Sequence, residues 1–212
     1  MTEIDAVSSA LMPYALAWMI LVLGVRSAVV VRRGYRSDLA APKGDPRRGI
    51  LYSLTFAMLP WKKESTRIHP WTYAAGMGMH LGVLTTLIFA VGLRVGGWPA
   101  GALPLFGTLA AVGWVSAAGM MVKRLTRPYM RAITSPDDVL ANVLVQLYLL
   151  GGALFAFRPG MLPLWRSAAV LLVIYLPLGK IYHMVLFFVS RVLFGLQFGR
   201  RGVLRHDVPL SY

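Results

Sequence analysis

The stretch Ser167–Val189, "SAAVLLVIYLPLGKIYHMVLFFV", is apolar throughout except where Lys180 and His183 interrupt it. A helix that crosses a bilayer needs about 20 predominantly apolar residues. The stretch therefore reads as a membrane span over about 167–190. A charged or titratable side chain inside hydrocarbon is costly, and by default it marks a functional position. What Lys180 and His183 do there depends on the rest of the chain.

The rest of the chain has the same character. Of 212 residues, 57% are hydrophobic and 14% are charged, with a mean hydropathy of +0.63. A soluble domain carries about 25% charged residues. Four further apolar blocks cover about 6–28, 71–93, 103–122 and 138–157. "GGWPAGALP" before the third block is turn-forming, so that helix is placed to begin near Leu103. Ser135 can cap the fourth, Pro136 suits its first position, and Asp137 and Asp138 favour the positive end of its dipole. The expected fold is an all-α integral membrane protein, a single five-transmembrane-helix bundle.

Charge sets the expected orientation. Lys and Arg number 22 against 8 acidic residues, a net charge of +14. They concentrate in the loop 32–70, in the connection after the third block and in the tail 191–212, whereas the opposite side holds only Arg94, Arg158 and Arg166. Cytoplasmic loops of membrane proteins carry this excess. The N-terminus is placed outside and the C-terminus in the cytoplasm, and the acidic start "MTEIDA" is unlike a cleaved signal peptide, which opens basic. Nucleic acid is not needed to explain the charge. Within the long loop, "GILYSLTFAMLPW" (Gly49–Trp61) is too short to span and reads as an interfacial helix or a docking surface. The chain has no cysteine, so it forms no disulfide and holds no iron–sulfur cluster by itself.

The chain has four histidines. His69, in "RIHPW", and His206, in the basic tail, read as surface or interfacial groups. His80 and His183 fall inside spans. At 1.5 Å per residue His80 lies about 14 Å along its span from Trp71, and His183 about 12 Å from Arg191 in a span running the other way. The two imidazoles then share a depth in the cytoplasmic half, the arrangement that bis-histidine ligation of one b-type haem requires. Gly76 and Gly179 each precede a histidine by one turn and would leave room for a porphyrin. Ordinary small-residue helix contacts are the plainer explanation of the glycines. Lys180 would meet a haem propionate or a quinone carbonyl, unless it snorkels to an aqueous edge, and Tyr182 is a second candidate for a quinone contact. A haem-free membrane anchor is the main competing function. A small transporter is the weaker one, because polar groups within the spans are few; Asn142 and Gln146 read as interhelical hydrogen-bonding groups.

"MHLGVL" around His80, "RAITSPDDVLANVLVQL" into the fourth span and "LPLGKIYHMVLFFVSRVLFGLQFGRRGVL" through the fifth resemble the membrane cytochrome b (gamma) subunit of respiratory nitrate reductase. The resemblance extends to its relatives in heterodisulfide reductases and dissimilatory sulfur complexes. It implies an electron-transfer subunit of a prokaryotic inner-membrane respiratory complex, working between quinone or menaquinone and a cytoplasmic iron–sulfur partner subunit, and not catalytic alone. The nitrate reductase subunit has two haems. Here Ala90 and Trp165 stand near where further histidine ligands would fall, which implies a single haem, ligated by His80 and His183. The basic loops and the tail "FGRRGVLRHD" would form the partner's docking surface.

Overall fold

A computed structural model describes residues 3–34, 39–99 and 101–204. Arg36, Arg205 and His206 lie outside the described residues. Among the described residues the chain is helical, with no strand: α1 (Glu3–Gly34), α2 (Pro46–Leu54), α3 (Glu64–Ile68), α4 (Pro70–Val95), α5 (Ala102–Thr126), α6 (Pro128–Ala132), α7 (Pro136–Phe157), α8 (Leu162–Tyr175) and α9 (His183–Arg200). Five helices are long and apolar enough to cross a membrane: α1, α4, α5, α7, and α9 with the turn before it, Lys180–Arg200. Their outward faces stay apolar, as Leu81, Leu84 and Val91 on α4 show, each about half exposed.

Local chemistry explains the ends of these helices. α1 has Glu3 and Asp5 in its first turn and Arg32 and Arg33 in its last, which suits both poles of the helix dipole. α7 opens with a complete capping box: the Ser135 side chain accepts from the Asp138 backbone N–H, and the Asp138 carboxylate accepts from the Ser135 N–H at 2.9 Å. Asp45 caps α2 by accepting from Arg47 N at 2.8 Å, with Pro46 at the first helical position.

The expected fifth span is not one helix. α8 ends at Tyr175, a turn covers Leu176–Gly179, a 3-10 turn spans Lys180–Tyr182, and α9 starts at His183. Pro177 causes the break, because it has no N–H and its ring crowds the carbonyl four residues back. The N–H groups of Leu178 and Gly179 both turn back to the Tyr175 carbonyl, at 2.9 and 3.1 Å. "LPLG" is itself apolar, so hydropathy passes over the interruption.

The chain forms two compact units. The first comprises Met1–Ile20 and Pro70–Ile181. In it α4 packs on α5, α5 on α7, and α7 on α8. Four of these helices meet in an aromatic cluster: Phe89 stacks on Phe106 at 4.7 Å and on Trp165 at 5.6 Å, and Trp165 stacks on Phe155 at 5.3 Å. Glycines let the backbones approach. A Cβ at Gly82 would lie 2.7 Å from Gly113 Cα, so α4 and α5 cross in near contact there. Such crossings hold helices in lipid, where burying apolar surface provides little drive. The start of α1 is tied to α8 by the Asp5–Arg166 ion pair, by Arg166 donating to Ser9 Oγ at 3.0 Å, and by Trp18 Nε1 donating to the Ile174 carbonyl at 3.2 Å.

The second unit comprises Leu21–His69 and Tyr182–Tyr212. Its main contact is α2 on α9, built glycine against glycine. A Cβ on Gly49 would lie 2.6 Å from Gly199 Cα, and one on Gly195 would lie 2.5 Å from Ile50 Cα. The apolar loop stretch at Gly49–Trp61 is thus helix α2 followed by two 3-10 turns, Phe56–Met58 and Pro60–Lys62.

Candidate functional site

Lys180 is not stranded in the middle of a helix. It begins the 3-10 turn after the break, and its side chain is about half exposed. Its ammonium donates to Asp138 Oδ2 at 2.7 Å and to Ser135 Oγ at 3.0 Å, and its backbone N–H donates to Asp137 Oδ2 at 3.0 Å. Arg124, from the end of α5, adds a second cation 3.6 Å from the other oxygen of Asp138. Two acids at the start of α7 thus gather a lysine, an arginine and a free helix turn. Both cations lie on the Asp138 carboxylate, which also completes the helix cap, so neither charge stands alone in an apolar setting.

Gly179 serves this same junction. The space a Cβ would take there is filled by the Tyr175 ring, whose hydroxyl hydrogen-bonds Asp137. The missing side chain at Gly179, which the sequence reading set aside for a porphyrin, makes room for Tyr175.

His80 differs. It is exposed on α4, on the outward stripe with Met77, Leu81 and Leu84. Its Nδ1 lies 2.7 Å from the Gly76 carbonyl one turn back. A carbonyl only accepts, so this contact places the imidazole proton on Nδ1 and leaves the Nε2 lone pair as the donor atom for a metal. A Cβ on Gly76 would meet nothing within 4 Å, so the surface beside the imidazole is open. The imidazole is thus held through Nδ1 by the backbone one turn back, with open space beside it at Gly76.

His183 is the first residue of α9 and is exposed; it belongs to the second unit, whereas His80 belongs to the first. The count from Arg191 to His183 stays within α9, but α9 runs on to Arg200, so Arg191 lies inside the helix and does not mark the end of the span. Tyr182, next to it, lies under the Arg26 guanidinium, 4.1 Å from ring centroid to Cζ, a cation–π contact that covers one face of the ring. Among the described residues no group of three or more His, Cys, Asp or Glu side chains gathers to hold a metal ion. An axial pair does not need one, because the porphyrin supplies four nitrogens of its own.

Sequence reading missed the acids. In the sequence Asp137 and Asp138 read only as partners of the helix dipole, yet they organise the junction with Tyr175 and Lys180. The available signal was the unsatisfied charge of Lys180, which calls for a carboxylate. Gln146 donates to Asn142 Oδ1 at 2.6 Å within α7, and only Asn142 reaches another helix, at the Ala117 carbonyl, 3.5 Å away.

No protein-family model, curated protein or solved structure matches this chain.

Proposed function

We propose that the chain is the haem b membrane subunit of a prokaryotic respiratory complex. It would exchange electrons between the quinone pool and an iron–sulfur partner on the cytoplasmic face, through one haem with His80 and His183 as axial ligands. The observation that carries this reading is His80 itself, with Nδ1 committed to the Gly76 carbonyl and Nε2 bare beside an open glycine. An exposed imidazole on the apolar face of a membrane-length helix calls for something to cover it, and a b-type haem does so while using the nitrogen that the hydrogen bond leaves available. The resemblance around "MHLGVL" and "GKIYHMVLFF" supports the same conclusion.

In this reading the N-terminus is outside and the basic loops face the cytoplasm, following the distribution of Lys and Arg. The Gly76 carbonyl orients His80, and the glycine keeps the flank clear. Lys180 shares its charge with Asp138, so it meets a propionate or quinone oxygen only in competition with that pair. Arg26 over the Tyr182 ring leaves the Tyr182 hydroxyl as its quinone-binding atom. A bound haem supplies one-electron transfer, and the protein sets its ligands, dielectric and distances.

The test is a reduced-minus-oxidised spectrum of purified wild-type, His80→Ala and His183→Ala protein. Loss of the b-type signal in either variant supports the assignment. A normal signal in both refutes the ligands, and absence of a Soret band from the wild type makes the chain a haem-free anchor.

A further inference from the structure

A second site lies within the first unit, beside the aromatic cluster. Phe89, Tyr148 and Trp165 pack there, with the Tyr148 and Trp165 rings 6.1 Å apart. Next to them, the small side chains of Ala90 and Ala169 leave a cavity of about 90 Å³ that Tyr148, Trp165, Leu162 and Arg94 also line.

The polar groups on this wall are not equally available. Arg166 is committed to Asp5 and to Ser9 Oγ. Trp165 Nε1 has no hydrogen-bond partner, but it is sealed against α7, where a Cβ on Gly152 would come within 3.2 Å of it. Tyr148 differs. The residue is only 5% exposed, its hydroxyl is not sealed as the indole nitrogen is, and none of the described residues bonds that hydroxyl. A buried tyrosine ordinarily sets its hydroxyl on an acceptor. Arg94, exposed in the last turn of α4, likewise has no carboxylate or carbonyl partner among the described residues. The dipole of α4 suits a cation at that position, but it supplies no acceptor for Tyr148. The cavity thus presents one buried donor and one cation, and no carboxylate lines it among the described residues.

We propose that this cavity holds the oxygen-bearing end of an anionic acyl lipid, independently of any haem. The lipid's carbonyl oxygen accepts from the Tyr148 hydroxyl, its acid charge meets Arg94, and its chain lies along Met12, Leu93 and Leu162. A fatty-acid carboxylate and the ester end of an anionic phospholipid share this chemistry. Size decides against a planar ring: a cavity of about 150 Å³ takes a benzene molecule, and this one is smaller, whereas an acyl chain is narrower than a ring.

The test uses the full chain purified in detergent micelles doped with palmitate, phosphatidylglycerol or phosphatidylcholine, with retained lipid counted by native mass spectrometry. Tyr148→Phe deletes only the hydroxyl, and Ala90→Leu fills the cavity. Arg94→Gln changes an exposed side chain and should fold even where the two core variants do not. Arg158→Gln removes a charge that is exposed and not on the wall. Circular dichroism checks the fold of each variant. We expect palmitate or phosphatidylglycerol to be retained over phosphatidylcholine, about tenfold more weakly in Tyr148→Phe and in Arg94→Gln, and unchanged in Arg158→Gln. Retention of palmitate identifies a free fatty acid as the source, and retention of phosphatidylglycerol identifies a phospholipid. Retention of neither anionic lipid, which leaves the hydroxyl to water, overturns the site. So does equal retention of phosphatidylcholine, or undiminished retention in Arg94→Gln or in a folded Tyr148→Phe or Ala90→Leu protein.

Discussion

The Lys180 ammonium stands 2.7 Å from Asp138 Oδ2, which places the lysine of an apolar stretch on the capping carboxylate of α7. A double-mutant cycle with Lys180→Met and Asp138→Asn measures this pair. Lys180 is half exposed, so solvent screening limits the coupling to about 0.5–1 kcal/mol. Asp138→Ala removes the capping box as well and should cost about 1 kcal/mol more. Unfolding in detergent reads both, and zero coupling would mean that the ion pair does not hold the junction.

Gly76 and Gly82 lie on the same helix and should respond oppositely. Ala at Gly76 meets open space, so Gly76→Ala should be neutral or stabilise by up to about 1 kcal/mol. Ala at Gly82 meets Gly113 Cα, so Gly82→Ala should destabilise by about 1–3 kcal/mol through overpacking. Equal thermal shifts for the two variants would contradict the close crossing of α4 and α5.

A bulky side chain at Gly76 separates cofactor binding from folding. Gly76→Phe fills only the open flank of His80, so it should keep the wild-type helix content while lowering haem content, with a melting temperature equal to that of the haem-free wild type. Full haem occupancy in a folded Gly76→Phe protein would show that the flank is not used.

The seat of α2 on α9 depends on Gly49 and Gly199. Gly49→Val should detach α2, and hydrogen exchange at the amides of Leu51–Thr55 should lose protection by at least tenfold, with α9 helix retained. Unchanged protection would mean that α2 is held by something other than this contact.

Apolar runs mark α1, α4, α5 and α7 in the sequence, though α1 continues six residues past the expected end at 28, because an uninterrupted apolar run has few alternatives to a helix. Ser135, Pro136 and Asp138 marked the start of α7 in the sequence, since capping is local chemistry. The break at Pro177 was equally local, yet it lies among leucines and hydropathy cannot register it. Its consequence reaches the site: the membrane-length segment is Lys180–Arg200 and not 167–190, so His183 lies near the start of that segment and Arg191 within it. The partners of Lys180 are Ser135 and Asp138, more than forty positions away, and only tertiary packing brings them together. The Gly76–His80 contact was half legible, as a spacing whose hydrogen bond the structure supplied.

Haem stoichiometry, read as pyridine haemochrome absorbance per chain in the purified complex, decides whether His80 holds a cofactor. One b-type haem per chain is expected, falling to none in His80→Ala with the protein still folded. A ratio of two, or a ratio of one that survives His80→Ala, contradicts it.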